Sequence, residues 1–298
     1  MTGAPVIDQA LCTRCGLCEA ACLGRLVDSA AGTINPDGCI LCGHCIAVCP
    51  VGAITVRTAA STDAQQGDSS VQNIFLKPEK LSGKSTDSAA FANLVRSRRS
   101  CRRYQNRPVD SALLDQLIDL ARWSPTGTNS RSVHLTVLAS PARVASFSKS
   151  AMTFFMKAAR VLINPVVLPL LYPFLTRKKA LRVKGFARRY FERFRSGEDV
   201  LAHGAAALVV FHAPRSASTP QADCVICAAT MALHAETLGL GTCFNGFAVY
   251  ALSLSRKLRR EYAIPQGHRV HETLLVGHPA VRWHNLPPRE PVPVTLLE

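Results

Sequence analysis

Eight of the twelve cysteines stand in two runs, Cys12-x2-Cys15-x2-Cys18-x3-Cys22 and Cys39-x2-Cys42-x2-Cys45-x3-Cys49-Pro50. Three cysteines at steps of three, with a fourth four residues on, crowd thiolates round an inorganic core of iron and sulfide. A zinc site, which wants its ligand pairs separated by a longer loop, fits this spacing poorly, and so does a secreted disulfide framework. Each cysteine of the second run lies 27 residues after its counterpart (12 to 39, 15 to 42, 18 to 45, 22 to 49). Residues 5–57 are therefore a duplicated unit, with Ile7-Asp8 echoed by Ile34-Asn35. In the two-cluster arrangement the fourth cysteine of each run ligates the other cluster. That assigns Cys12, Cys15, Cys18 and Cys49 to one [4Fe-4S] cubane and Cys39, Cys42, Cys45 and Cys22 to the other.

At 298 residues the chain has room for a second, larger domain. The polar stretches 58–70 and 78–88 flank a brief apolar VQNIFLK, and 58–88 is expected to be a linker. Helical periodicity begins at Phe91, Leu94 and Val95 and resumes from Val109 to Ala121 behind Asp110, a plausible N-cap. Apolar runs at 133–139, 206–212 and 273–277 predict strands, and 222–238 predicts a buried helix closed by Gly239. Helices enclosing a sheet make an α+β domain over 89–298.

Between the first two helices, residues 96–108 carry Arg96, Arg98, Arg99, Arg102, Arg103 and Arg107 without one acid. Guanidinium forks with the Ser100 hydroxyl suit a phosphate, although a solvated basic face or a nucleic-acid contact has the same composition.

The N-terminal fifty residues resemble bacterial two-cluster ferredoxins, departing where Leu23 follows the first run in place of the proline that follows the second. From about residue 88 the order of motifs resembles the nitroreductase family of FMN proteins: RRSCRRY at 98–104, ARWSPTGTNSRS at 121–132, GLGTCFNGF at 239–247 and LLVGHP at 274–279. The resemblance implies a nitroreductase-like α+β sandwich that binds FMN. Arg98, Arg99 and Ser100 would meet the flavin phosphate and ribityl chain, and Arg102 the pyrimidine edge. Thr126, Thr128 and Asn129 would form the loop that reaches the neighbouring subunit's flavin in a homodimer. Asn245 and Gly246 would bring backbone amides to the reactive edge of the ring, and Arg289 would close on the phosphate. Arg131-Ser132 stand where the family often has Gln-Pro, which touches the substrate side. GLGTCFNG is no dinucleotide fingerprint, since Phe244 occupies the third glycine position.

The formal charge is +15, and much of it is local: residues 177–195 hold nine Lys/Arg against the single acid Glu192, with apolar residues at helical steps. The preceding 161–175 is apolar, yet it is short and broken by Pro165, Pro169 and Pro173, too much so to span a bilayer. The insertion at about 148–200 is expected to be a lid or dimer arm, with an acidic redox partner or peripheral membrane contact through 161–195 as the alternatives. No nucleic-acid recognition motif accompanies the charge. Cys224, Cys227 and Cys243 are expected to be buried structural residues; Cys101, beside arginines, is either a reactive thiol or an ordinary member of its loop. His203, His234, His268, His271 and His278 show no metal-ligand spacing. With no signal-like N-terminus and many thiolates, the expected setting is the cytoplasm.

These features together predict an iron–sulfur flavoprotein oxidoreductase. A low-potential donor such as ferredoxin or flavodoxin would feed two [4Fe-4S] clusters, FMN, and a small organic acceptor: a nitroaromatic, a quinone or an activated alkene. The alternatives are a non-catalytic electron carrier for a partner protein, and an NAD(P)H-dependent nitroreductase whose clusters are an exit or a sensor.

Overall fold

The computed structural model describes residues 3–59, 73–76, 87–162 and 189–297. The chain divides into two compact units, Met1–Ser85 with Thr126–Arg131, and Thr86–Pro125 with Ser132–Glu298.

In the first unit β1 (Gly3–Ile7) and β4 (Ile54–Ala59) pair antiparallel, so the start and end of the duplicated segment lie side by side. Between them come two four-residue helices, α1 (Leu17–Ala20) and α2 (His44–Ala47), and the short pair β2 (Val27–Asp28) and β3 (Thr33–Ile34). The stretch expected to be a linker supplies β5 (Asn73–Leu76), which pairs with β4 through Val56–Ala59. Its four apolar and amide-bearing residues extend a sheet that was already formed. The buried apolar set is small, namely Ile7, Cys18, Val27 and Ile54, with the cysteines packed round it. A domain with so little core needs an additional constraint to be stable.

The second unit is built on a four-stranded antiparallel sheet in the order β6-β7-β9-β8: β6 (His134–Leu138), β7 (Ala207–Pro214), β9 (His268–Gly277) and β8 (Gly241–Phe244). Helices cover both faces, which is why β7 reads as a continuous apolar run rather than an alternation. Side chains two apart share a face. Leu208, Val210 and Leu275 meet α5 (Pro141–Leu162) and α7 (Gly246–Leu254). Val209, Phe211, Leu274 and Val276 meet α4 (Ser111–Ala121) and α6 (Pro220–Thr237). Helix α3 (Ser88–Ser97) is capped by Asp87, whose carboxylate accepts from Ala90 N–H, and α8 (Arg256–Glu261) by Ser255, whose hydroxyl accepts from Leu258 N–H. Pro220 opens α6 at a position where no N–H is needed, and Gly239 at φ +70° closes it.

Of the 148–200 insertion, residues 163–188 lie outside the described residues. The described parts are the length of α5, the helical residues 189–195, and 196–200. All but the first two residues of the apolar stretch 161–175 and most of the basic stretch 177–195 fall within that outside segment. Among the described residues no helix is long and apolar enough to cross a membrane.

Candidate functional site

Left-handed backbone recurs in the first unit at the 27-residue interval of the cysteines. Arg14 (φ 54°) matches Leu41 (52°), Gly16 matches Gly43 (77° each), and Arg25 (51°) matches Gly52 (64°). The duplication is thus one of backbone bends, and each run curls round a concavity. Cys12, Cys15, Cys18 and Cys49 line one concavity together with Ile7, Leu17 and Ile54. Cys22, Cys39, Cys42 and Cys45 line a second together with Val27, Leu41 and Ile46. The fourth cysteine of each run lines the other run's concavity.

Two backbone donors repeat as well. Leu26 N–H donates to Cys22 Sγ at 3.3 Å and Ala53 N–H to Cys49 Sγ at 3.2 Å. Such N–H···S bonds favour the charged thiolate and tune a bound cluster. Burial pushes the Cys45 thiol up to about 11, and the neighbouring Cys39, Cys42 and Cys22 sulfurs add to that. This crowding of thiols is relieved when protons leave and iron arrives. Among the described residues no three His, Cys, Asp or Glu side chains converge as a single ion requires. Four thiols ringing a cavity instead fit a larger sulfide-bridged core.

In the second unit, the arginine-rich segment leaves α3 in extended form and lies along the free edge of β8. Ser100 bridges Thr242 in parallel, Cys101 N–H donates to Thr242 O at 2.8 Å, and Tyr104 bridges Pro279. Extended backbone sends alternate side chains to opposite sides. The Cys243 thiol, raised by burial, feels Arg102, Ser100 and Arg98. Arg99 and Cys101 line a separate groove with Glu236, Gly241 and Trp283. Arg98, Ser100 and Arg102 thus act on Cys243, while Arg98 and Arg99 both act on Glu236 in the groove. Arg98 Nη1 is buried without a hydrogen-bond partner among the described residues. A buried guanidinium nitrogen in that condition is what an anionic ligand oxygen satisfies.

Asn245 is the N-cap of α7: its Oδ1 accepts from Ala248 N–H at 3.1 Å, and its Nδ2 donates to Leu201 O at 2.7 Å. Thr273 Oγ1 donates to Asn245 O at 2.7 Å, so the side chain and carbonyl are committed to holding the turn in place. A Cβ added at Gly246 would meet nothing within 4 Å. The protein itself does not demand glycine there; a flat ligand approaching the first amides of α7 would. The donor set Arg98, Ser100, Arg102 and the α7 N-terminus fits a phosphate-bearing flavin. Arg289 stands exposed in the irregular stretch after β9. Thr126, Thr128 and Asn129 group with the first unit, where Asn129 Nδ2 donates to the carbonyls of Leu41 at 2.7 Å and Ile40 at 3.2 Å.

Cys101 is 1% exposed, and burial raises its thiol in spite of the neighbouring arginines, so the reactive-thiol reading does not hold. Its Cβ would lie 2.8 Å from a Cβ at Gly241, which explains that glycine. Cys224, Cys227 and Cys243 are buried in the core, and burial pushes Cys224 up to about 12. Sequence periodicity did not reveal a histidine cluster on adjacent strands. His212 Nδ1 and His268 Nδ1 are 2.9 Å apart, Thr136 Oγ1 lies 3.0 Å from His212 Nε2, and the His134 ring meets His268 edge-on at 4.8 Å. Burial, then His268 and His134, drive the His212 pKa down to about 4.

Four thiols lining each of two concavities in one unit, and in the other a sheet whose edge carries a basic phosphate-type segment, define a protein of the iron–sulfur and flavin oxidoreductase kind. Residues 95–278, more than half of the chain, match the nitroreductase family, and residues 33–55 match a 4Fe-4S binding domain. The chain belongs to the nitroreductase family, with a 4Fe-4S domain preceding the nitroreductase fold. No curated protein matches it. Among solved structures, a nitroreductase with bound FMN from Bacteroides fragilis matches at 17% identity and TM-score 0.54, covering 72% of this chain and 100% of its own. One from Desulfitobacterium hafniense, also with bound FMN, matches at 20% identity and TM-score 0.52, covering 70% and 98%. An FMN-dependent nitroreductase from Clostridium difficile matches at 19% identity and TM-score 0.50, covering 71% and 100%. At these identities the likeness is one of fold.

Proposed function

We propose that this chain is an FMN-dependent oxidoreductase driven by one-electron donors. The observation that carries the reading is the crossed ring of four thiols in each of two cavities, within a member of the nitroreductase family. When bound, two [4Fe-4S] clusters would supply single-electron transfer and FMN would supply paired delivery to a small organic acceptor. The chain's own part is binding and tuning. Cys12, Cys15, Cys18 and Cys49 would hold one cluster, and Cys39, Cys42, Cys45 and Cys22 the other. The N–H groups of Leu26 and Ala53 would hold Cys22 and Cys49 as thiolates. Arg98 and Ser100 would take the flavin phosphate, with Arg99 and Arg289 as further basic contacts. Arg102 would place a cation that favours an electron-rich ring. Asn245, pinned by Leu201 and Thr273, would hold the Gly246 amide against the ring. Thr126, Thr128 and Asn129 complete the proposed set.

The working form is proposed to be a cytoplasmic homodimer. The exposed Val292, Val294, Leu296 and Leu297 of the C-terminal stretch support it, as apolar residues that a second copy would cover. An acidic donor such as reduced ferredoxin or flavodoxin suits the basic stretch 177–195, of which 189–195 is described. The domain proposal is a cluster domain at 1–57, a connecting segment at 58–88 that contains β5, and a flavin domain at 89–298.

The deciding experiment reconstitutes the chain without oxygen, measures iron, sulfide and flavin, and mixes it in stopped flow with NADH or with reduced ferredoxin. The reading expects about eight iron, eight sulfide and one FMN per chain, and fast reduction by ferredoxin alone. Full-rate bleaching of the flavin by NADH in a chain whose cluster cysteines are replaced would instead make the clusters an exit or a sensor.

A further inference from the structure

The segment Thr126–Arg131 is interrupted on both sides by residues of the second unit, yet it packs within the first. Its backbone is unusual: Thr128 (φ 52°), Asn129 (53°) and Arg131 (47°) are all left-handed without being glycine. Such residues persist only where surrounding contacts over-determine them, and for a β-branched threonine the conformation is rarer still. The contacts here are local: Asn129 N–H donates to Thr126 O, Ser130 N–H to Gly127 O, and Arg131 N–H to Thr126 Oγ1, each at 3.0 Å. The outcome of the bend is that two side chains reach one turn of the cysteine-rich loop. Asn129 Nδ2 donates to Leu41 O at 2.7 Å and Ile40 O at 3.2 Å, and Arg131 Nη2 donates to Leu41 O at 3.2 Å. Ile40 and Leu41 are the two residues between Cys39 and Cys42, and Leu41, itself left-handed at 52°, lines the second cavity.

Resting on the reading of that cavity as a cluster site, we propose that Asn129 and Arg131 are positioning residues for the cluster held by Cys22, Cys39, Cys42 and Cys45. They clamp the left-handed turn between two of its ligands and raise its reduction potential relative to a chain without them. The physical reason is electrostatic. Taking up one electron adds a negative charge to the cluster, and donors or a cation beside the ligand loop stabilise the more negative state. Asn129, half-buried against the turn, contributes the larger part; the exposed Arg131 is screened by salt.

The test is an EPR-monitored redox titration of the full reconstituted chain, with mediators and dithionite as the reductant. The signal lost in Cys22→Ala identifies the second cluster. Asn129→Ala is expected to lower the midpoint potential of that cluster and leave the first where it was, and Asn129→Asp, which faces a carboxylate towards two carbonyl oxygens, to lower it further. Arg131→Gln is expected to move the same potential downward at low salt and less at high salt, and Arg131→Lys to restore it; these surface variants carry the test should the Asn129 variants fail to fold. Unmoved potentials, or equal shifts of both clusters, would overturn the proposal while leaving the cluster reading intact. A wild-type chain that takes up no iron or sulfide would sink both.

Discussion

Arg98 gives the sharpest separation between a ligand-binding residue and a structural one. Its Nη1 is buried and, among the described residues, no atom accepts from it. Leaving a buried charged donor unpaired costs about 1–3 kcal/mol or more, so in the flavin-free protein Arg98→Ala should leave stability unchanged or raise it. With FMN bound the sign reverses. A hydrogen bond to a charged partner contributes about 1.5–3 kcal/mol, which at about 1.4 kcal/mol per decade is roughly a 10- to 150-fold rise in Kd. Equilibrium titration of flavin fluorescence measures the affinity, and urea unfolding with and without FMN measures the two stabilities. Both clusters should keep their spectra, since Arg98 lies outside the unit that carries the cysteines. Unchanged flavin affinity would refute the assignment. So would an equal loss of stability in the presence and absence of FMN, because that would make Arg98 a residue of the fold rather than of the site.

Cys22→Ala should remove iron from the cavity of Cys39, Cys42 and Cys45 and spare its sequence neighbours at 12, 15 and 18, as read by iron content and EPR. Gly241→Ala would bring a Cβ to 2.8 Å from Cys101 Cβ and should cost about 1–3 kcal/mol in urea unfolding. Cys101 itself, buried and with its thiol raised, should react slowly with an alkylating reagent at neutral pH in the folded chain and fast once unfolded. His212 is held at about 4 against a usual 6.5, so the unfolded chain takes up its proton first. Stability should therefore fall as pH drops from about 6.5 towards 4, and His212→Gln should flatten that part of the curve.

The cluster half was legible because its chemistry is written in local spacing. The interval of 27 residues marks the two runs as one repeated unit, and the two-cluster arrangement that such runs resemble pairs each fourth cysteine with the other run. The helices and strands of the larger half were legible for a similar reason. Asp110 marks a start, Gly239 marks an end, and the apolar run at 206–211 reads as a strand covered on both faces. The strand β5 was lost within a polar stretch because four residues carry too little period to stand out, and only pairing with β4 makes them a strand.

The sequence by itself determined the redox chemistry this chain can host, since the number and spacing of thiols decide what inorganic core they can enclose. Tertiary structure alone decided which arginines act together. In RRSCRRY four arginines look equally basic, and it is the pairing of Ser100 with Thr242 that sets Arg98 and Arg102 near Cys243 and Arg99 in the groove with Glu236, which Arg98 also influences. It alone also brought His134, His212 and His268 into contact and carried Asn129 to the turn at Leu41, across 88 residues of chain. The physical reason is the same in each case. A ligand spacing within one turn is a local property of the backbone, whereas the direction of a side chain on a sheet edge, or its meeting with a distant carbonyl, exists only once strands have paired.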